Sequence, residues 1–554
     1  MDYQVNHISY QYAADLPLVL KDVTFTIQPN KVTAIVGPSG CGKTTLVEIF
    51  SQVIPKLITN GTLTGSFDVP ENALVSVVSQ NPENQLFGYG VEDAICFGME
   101  NLGLPQEEIS ERLEYVLDLL NLQYLRKRSV SNLSGGQRQS VCIASVLAMN
   151  PDILIMDEPV SSLDPNGKHM VQRVLKQLAA DSDTVVLVDN NLVWSAEIVD
   201  HVIGLLDGEV VFDGTRDEFF EDIELQKKLG VIIPQEVEIY RELKQYYPDL
   251  PMFYNMEDAE AAIRDVIGVK GPGTSSYEDT EDSAVIDVIK LSHTFSDGFH
   301  ALIDVNTKIS DGKIVAVLGQ NGSGKTTFLK HLNGLLRPTE GDIEYRGQSI
   351  LKKTVAMISK DIILVFQHPE HMLFEETVEK ELTFCARMQN VPFEEQRITE
   401  ILEKYDMLED KEVFPLNLSM GKKHMLTILS VLLSSADVIM LDEPTLGMDA
   451  FLIKQLEEMV ASLKAAGKTV IMISHEIPLV FRTVDSAVVL NAGKKVFEGS
   501  KEALARNDEL FEKINISLPP VVKLSKSLGL EHISYNVPDL AKQICALSQQ
   551  GLGE

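Results

Sequence analysis

The chain has 554 residues, 44% hydrophobic and 23% charged, with a formal net charge of −33. That length suits several domains with separate cores, and the balance reads as soluble and globular. So acidic a chain is a poor candidate for broad contact with a nucleic-acid backbone, where basic patches supply most of the affinity. Its five cysteines have no metal-ligand or redox spacing, and no run approaches the ~18 apolar residues of a membrane span.

The N-terminus, MDYQVNHISYQY, has neither a basic start nor an apolar core, so it does not read as a signal peptide. VTAIV (Val32–Val36) is a short β-rich run leading into Gly37-Pro38-Ser39-Gly40-Cys41-Gly42-Lys43-Thr44-Thr45. IVAVL (Ile314–Leu318) leads in the same way into Gly319-Gln320-Asn321-Gly322-Ser323-Gly324-Lys325-Thr326-Thr327. In each, the glycines let backbone N–H groups turn inward around phosphate oxygens. The lysine reaches the β/γ-phosphates, and Thr44 or Thr326 ligates Mg²⁺.

The same order of features follows each loop. Gln80 and Gln367 end strand-like runs, where a neutral amide can touch both Mg²⁺ and a water. LSGGQRQ, from Leu133, sets small residues before a helix; Ser134, Gly135, Gly136 and Gln137 form a second phosphate cradle. ILIMD and VIMLD are continuous apolar runs, expected as parallel strands buried on both faces. They end in Asp157 and Asp442, each placed to hold Mg²⁺ at a carboxyl end of the sheet. Glu158 and Glu443 follow, and a carboxylate there can orient or deprotonate an attacking water.

Two homologous domains follow from the repeat. The boundaries read as 1–228 for the first nucleotide-binding domain and 229–269 for a small C-terminal helical appendage. A flexible acidic linker occupies 270–283, the second domain 284–514 and its appendage 515–554. Pro234 and Pro519 hold matching places before the helical patterns of the appendages. These units either dock against each other or cap their own domains.

Taken together, both phosphate loops, both Asp-Glu strands, LSGGQ and the loops Ser161–Asp164 and Leu446–Asp449 closely resemble the ATP-binding cassette family over nearly the whole chain. The resemblance implies an α/β fold of two tandem P-loop NTPase domains, each with a helical subdomain, that hydrolyse ATP with Mg²⁺. It also implies head-to-tail pairing, with each ATP between the phosphate loop of one domain and the signature of the other. Adenine then needs an aromatic platform, for which Tyr12 and Phe295 lie at matching places; packing is the other role open to them.

The run Gln80–Pro105 is similar to the segment characteristic of ATPases of energy-coupling-factor importers, which take up vitamins, cobalt or nickel. Gln367–Pro392 matches it less fully. The resemblance implies a transmembrane coupling subunit and a substrate-binding membrane subunit as separate chains, a location on the cytoplasmic face of a prokaryotic membrane, and no nucleic-acid partner. Glu83, Glu92, Asp93, Glu370, Glu376 and Glu379 offer carboxylates to arginines of the coupling subunit, or form a solvated acidic face. The alternatives are the tandem ATPase of another importer, such as a sugar importer, and a soluble ribosome-associated tandem ATPase. The short acidic linker and the absence of a cysteine-rich segment argue against the latter.

The two copies are unequal. The family's switch histidine matches His475 in the second copy and Asn190 in the first. The second signature keeps Ser419 and Gly421, but Met420 replaces the first glycine and Lys422 the glutamine. Met420 is expected to crowd a phosphate, and Lys422 to add positive charge. By head-to-tail pairing both departures fall in the site of Lys43, Glu158 and Asn190. The site of Lys325, Glu443 and His475 keeps every part and is expected to dominate turnover. The Glu158 site then hydrolyses slowly or holds ATP structurally.

Overall fold

The computed structural model describes every residue except 1–2, 39, 71, 80–81, 83–84, 161–162, 164, 181–183, 269–282 and 552–554. Gln80, Ser39, Glu83, most of the 161–164 loop and nearly all of the 270–283 linker therefore lie outside the described residues. The chain divides into two compact units: Met1–Arg241 with Met252–Asn255, and Glu242–Pro251 with Met256–Glu554.

In the first unit the strands are β1 (Tyr3–Gln11), β2 (Leu20–Ile27), β3 (Val32–Val36), β4 (Thr62–Asp68), β5 (Val75–Val78), β6 (Ile153–Asp157), β7 (Thr184–Val188), β8 (His201–Leu206) and β9 (Glu209–Thr215). Among the described residues they form one sheet of order β5-β6-β7-β3-β8-β9 and an antiparallel sheet β2-β1-β4. Strands β5, β6, β7, β3 and β8 run parallel, and β9 closes the edge antiparallel. Every residue of β3, β6 and β7 is buried. Helices cover both faces of such a sheet, so its strands carry continuous Val, Ile, Leu and Met runs without alternation.

The second unit repeats the plan. Its strands are β10 (Ala284–Thr294), β11 (His300–Ser310), β12 (Ile314–Leu318), β13 (Glu340–Tyr345), β14 (Gln348–Ser349), β15 (Ile362–Val365), β16 (Val438–Asp442), β17 (Thr469–Ile473), β18 (Ser486–Asn491) and β19 (Lys494–Ser500). The orders are β15-β16-β17-β12-β18-β19 and β11-β10-β13-β14. This is the α/β architecture of two tandem P-loop NTPase domains that the motifs imply.

The helical subdomains carry the signatures. In the first, helices Val91–Asn101 and Gln106–Leu119 pack with Gly135–Ala148, and Ile95, Met99, Leu113, Val116 and Val141 are buried in one continuous core. In the second, Val378–Gln389 packs with Met420–Leu432 in the same way.

The appended helix Met256–Ile267 packs on helix Pro520–Ser527 inside the second unit. Its Ala259 and Ile263 are buried, and the Arg264 guanidinium donates to the Ser527 carbonyl at 2.6 Å. Both arrangements open for the appendages occur: these two helices dock together, while Val237 lies in the core of the first unit and Tyr535 stacks on Phe481 of the second domain.

Candidate functional site

Strand order builds the site. Strand β7 lies between β3 and β6, so the residues after β7 emerge between the phosphate loop and the Asp157-Glu158 pair. Strand β17 stands likewise between β12 and β16. All three carboxyl ends point the same way because the strands are parallel, which is where open α/β sheets bind ligands.

The phosphate loops show why their glycines are needed. A Cβ on Gly37 would lie 2.1 Å from the Leu205 carbonyl oxygen, and one on Gly319 would lie 2.1 Å from that of Leu490. Each loop thus runs in backbone contact with the neighbouring strand, and a side chain would displace it. Gly40 and Gly322 take φ of +83° and +78°, and a Cβ on either would face open space. There the left-handed turn, not crowding, demands glycine. The helices Lys43–Phe50 and Lys325–Leu332 then start with their N-termini at the loops.

The two lysines sit alike. Lys325 Nζ donates to the carbonyls of Gly319 and Gln320 at 2.8 and 3.0 Å. Lys43 Nζ donates to those of Gly37 and Pro38. Burial depresses the Lys325 pKa, against the nearby Glu443 and Asp442 carboxylates, which favour its charged form.

The Asp pair fits a divalent cation. Asp442 is 2% exposed, and the Thr326 hydroxyl donates to it at 3.3 Å. Burial, with Glu443 as a neighbour, raises its pKa. Burial and then the Glu158 charge push Asp157 up to about 7. A cation bound between carboxylate and hydroxyl would reverse that logic by favouring the ionised form. Thr44 and Gln367 are exposed at the same ends of their units.

Both glutamates after these strands have a left-handed backbone: φ is +44° at Glu158 and +50° at Glu443. For a residue with a Cβ this costs about 1–3 kcal/mol and persists only where the surroundings enforce it. Here the Glu158 N–H donates to the Val188 carbonyl at 2.9 Å and the Glu443 N–H to that of Ile473 at 3.0 Å.

At the second residue after β7 or β17 the halves diverge. His475 Nε2 is 3.0 Å from Glu443 Oε1, and the His475 N–H donates to Glu443 Oε2 at 3.2 Å. Asn190 instead turns to the other neighbour: its carboxamide oxygen accepts from the Gly37 N–H at 2.8 Å. Beside it Asp189 is buried, with its pKa pushed up to about 6 by burial. Sequence reasoning missed Asp189. The available signal was an acid standing where the second copy has Ser474.

The signatures differ in how they start their helices. The Ser134 hydroxyl accepts from the Gln137 N–H at 3.3 Å, and the Gln137 side chain accepts from the Ser134 N–H at 3.0 Å. That is a complete capping box. Ser419 accepts from the Lys422 N–H at 3.4 Å, while the Lys422 ammonium pairs with Asp410 at 2.7 Å. The positive charge expected of Lys422 is thus already matched within its own unit, because a lysine cannot accept the reciprocal bond and reaches the nearest carboxylate. Met420 packs over Gly447, where a Cβ would meet its Cγ at 2.8 Å.

The aromatic candidates both adjoin the phosphate-loop helices. The Tyr12 hydroxyl is 3.0 Å from Thr45 Oγ1 and donates to Glu48 at 3.1 Å. Phe295 is 40% exposed and meets His293 edge-on at 4.7 Å; His293 in turn meets His331 of the second helix. The acidic groove is a different matter. Glu92 pairs with Arg126, Glu370 with Lys423, Glu376 with Lys380 and Glu379 with Lys411. Asp93 accepts from the Gly90 N–H at 3.2 Å. Four of these carboxylates are ion-paired within the chain, and Asp93 accepts only a backbone N–H.

Comparison with known proteins bears on the whole arrangement. Residues 20–161 and 302–446 match the family model described as ABC transporter. A protein of Caldanaerobacter subterraneus, provisionally named an ABC transporter ATP-binding protein, is 31% identical over 561 residues, spanning 94% of this chain and 98% of its own. A protein of Bacillus subtilis, provisionally named an HMP/thiamine import ATP-binding protein, is 31% identical over 532 residues, spanning 93% and 94%. Among solved structures, an archaeal ribosome recycling factor in complex with a ribosomal stalk protein has a TM-score of 0.60 at 20% identity, covering 91% of this chain and 92% of its own. At that identity the likeness is one of fold.

Proposed function

Because the chain belongs to the ABC transporter family, whose ATP-binding domains are ATPases, we propose that it is the ATP-hydrolysing subunit of an energy-coupling-factor importer for a vitamin or a transition metal. Hydrolysis of ATP follows from the family. The importer class rests on the segment Gln80–Pro105 and is supported by the Bacillus subtilis relative, named for import and matched over nearly its full length. Among the described residues no helix is long and apolar enough to cross a membrane. The proposal therefore assigns translocation to a separate coupling subunit and a substrate-binding membrane subunit, with this chain on their cytoplasmic face.

The contact that carries the catalytic assignment is His475 Nε2 to Glu443 Oε1 at 3.0 Å, against Asn190 to the Gly37 N–H at 2.8 Å. In the second half, Lys325 exchanges its loop carbonyls for the β/γ-phosphates. Glu443 takes the proton of the attacking water, and His475 holds the γ-phosphate while fixing the Glu443 carboxylate. Asp442, Thr326 and Gln367 would hold Mg²⁺, which neutralises phosphate charge; Asp157, Thr44 and Gln80 are their counterparts. In the proposed head-to-tail pairing this half works with Ser134, Gly135, Gly136 and Gln137. The first half, with Glu158 and Asn190, is the slow site.

Purification of the tagged full-length chain from detergent-solubilised membranes tests the importer class. The expected result is co-purification of two hydrophobic proteins that retain a small solute. Recovery with ribosomes and without membrane proteins would overturn it.

A further inference from the structure

The segment following β7 is tied down from several directions. Asp189 is 7% exposed; its carboxylate accepts from the Asn191 N–H at 2.8 Å and from the Trp194 indole N–H at 2.9 Å. The first bond closes an Asx turn around Asn190. The second anchors that turn to an indole that is itself 7% exposed. The backbone is held as well. The Ile232 N–H donates to the Asn190 carbonyl at 2.8 Å, and the Leu192 N–H donates to the Ile232 carbonyl at 2.9 Å. Between these anchors the Asn190 side chain reaches the Gly37 N–H.

In the second unit Ser474 holds the matching place. Its hydroxyl accepts from the Glu476 N–H at 3.1 Å, closing the same turn. A carboxylate has two oxygens, one for the turn and one for an indole, whereas a serine hydroxyl has one. The neighbouring His475 lies against Glu443.

We propose that Asp189, through Trp194, is a positioning residue that locks the Asn190 segment onto the first phosphate loop and keeps the switch residue of that half off the γ-phosphate. The proposal rests on the reading that the two ATP sites are unequal. It adds a cause to that inequality: the first half differs by a built lock as well as by the loss of an imidazole. The lock also reaches Ile232, two residues before Pro234 and the helix Gln235–Lys244, so the switch segment is hydrogen-bonded to the start of the appended region.

Trp194 is the chain's single tryptophan, so its fluorescence reports this place alone. In the full-length Glu443→Gln protein, residual ATP turnover comes from the first half. Asn190→His in that background is expected to raise it less than about 2-fold, and Asp189→Ser with Asn190→His to raise it about 10-fold or more, a fraction of the ~10²- to 10³-fold that one fully placed donor contributes. Asp189→Ser is expected to shift the Trp194 emission maximum to the red. Asp189→Asn, which keeps an acceptor for the indole, is expected to retain the parent emission. Equal gains from the single and double variants, no gain in a folded double variant, or unchanged emission in Asp189→Ser would each overturn the lock. Should Glu443→Gln keep the full parental rate, the unequal-site reading fails instead, and the emission of the two Asp189 variants still decides the lock.

Discussion

At the scale of single residues, the two halves differ in which neighbour a side chain faces. His475 contacts Glu443, whereas Asn190 contacts the phosphate loop. Glu443→Gln is expected to lower steady-state ATP hydrolysis about 100-fold or more, and Glu158→Gln less than about 10-fold. Equal losses in a coupled phosphate-release assay would count against the assignment. Asp157 gives a second prediction. Its pKa in the fold, about 7, lies above its ordinary 3.8. The native protein holds a proton there that the unfolded chain releases, so this group costs stability as pH rises from about 4 to about 7. Asp157→Asn should therefore raise the Tm at pH 8 in magnesium-free buffer, with a gain that shrinks toward pH 4. A gain independent of pH would show that the buried charge is not the cause.

At the scale of elements, the two signature helices begin alike in sequence and differ in anchoring. Ser134→Ala removes half of a complete capping box and should destabilise the first half by about 1 kcal/mol. Ser419→Ala, lacking the reciprocal bond, should cost less; denaturant titration of the two variants compares them. The same helices carry a buried polar side chain one turn on: Gln139 in the first and His424 in the second. Burial, reinforced by His368, pushes His424 down to about 4 from 6.5. Its stabilising contribution is complete above about 6.5 and is lost as pH falls toward 4. His424→Gln should lessen the fall in Tm between pH 7 and pH 5. An identical fall in the variant would place the acid sensitivity elsewhere.

At the scale of the whole molecule, the repeat produces two sheets with the same strand order, while the appended helices do not respect the sequence boundary. Met256–Ile267 precedes the linker yet packs in the second unit, with Ile263 buried and Arg264 bonded to Ser527. A fragment from Glu242 to the C-terminus should therefore melt higher than one starting at Ala284. Loss of Ile263 burial alone amounts to about 1.5–3 kcal/mol. Equal melting temperatures would show that this packing contributes nothing to the unit.

The phosphate loops, the Asp-Glu strands and the tandem α/β fold were legible in the sequence because each depends on local chemistry. Glycines are required where backbone must turn or touch, and unbroken apolar runs are required where strands are covered on both faces. The inequality at 190 and 475, with the expectation that the Glu443 site dominates, was legible in the sequence, but which neighbour each side chain faces was not. Only the placement of β7 between β3 and β6, and of β17 between β12 and β16, puts that residue within reach of two neighbours. Tertiary packing then decided that Asn190 faces Gly37 and His475 faces Glu443, that Lys422 spends its charge on Asp410, and that Asp189 anchors on Trp194. Such pairings join residues distant in the chain, and side-chain direction at a strand end is set by the partners that surround it.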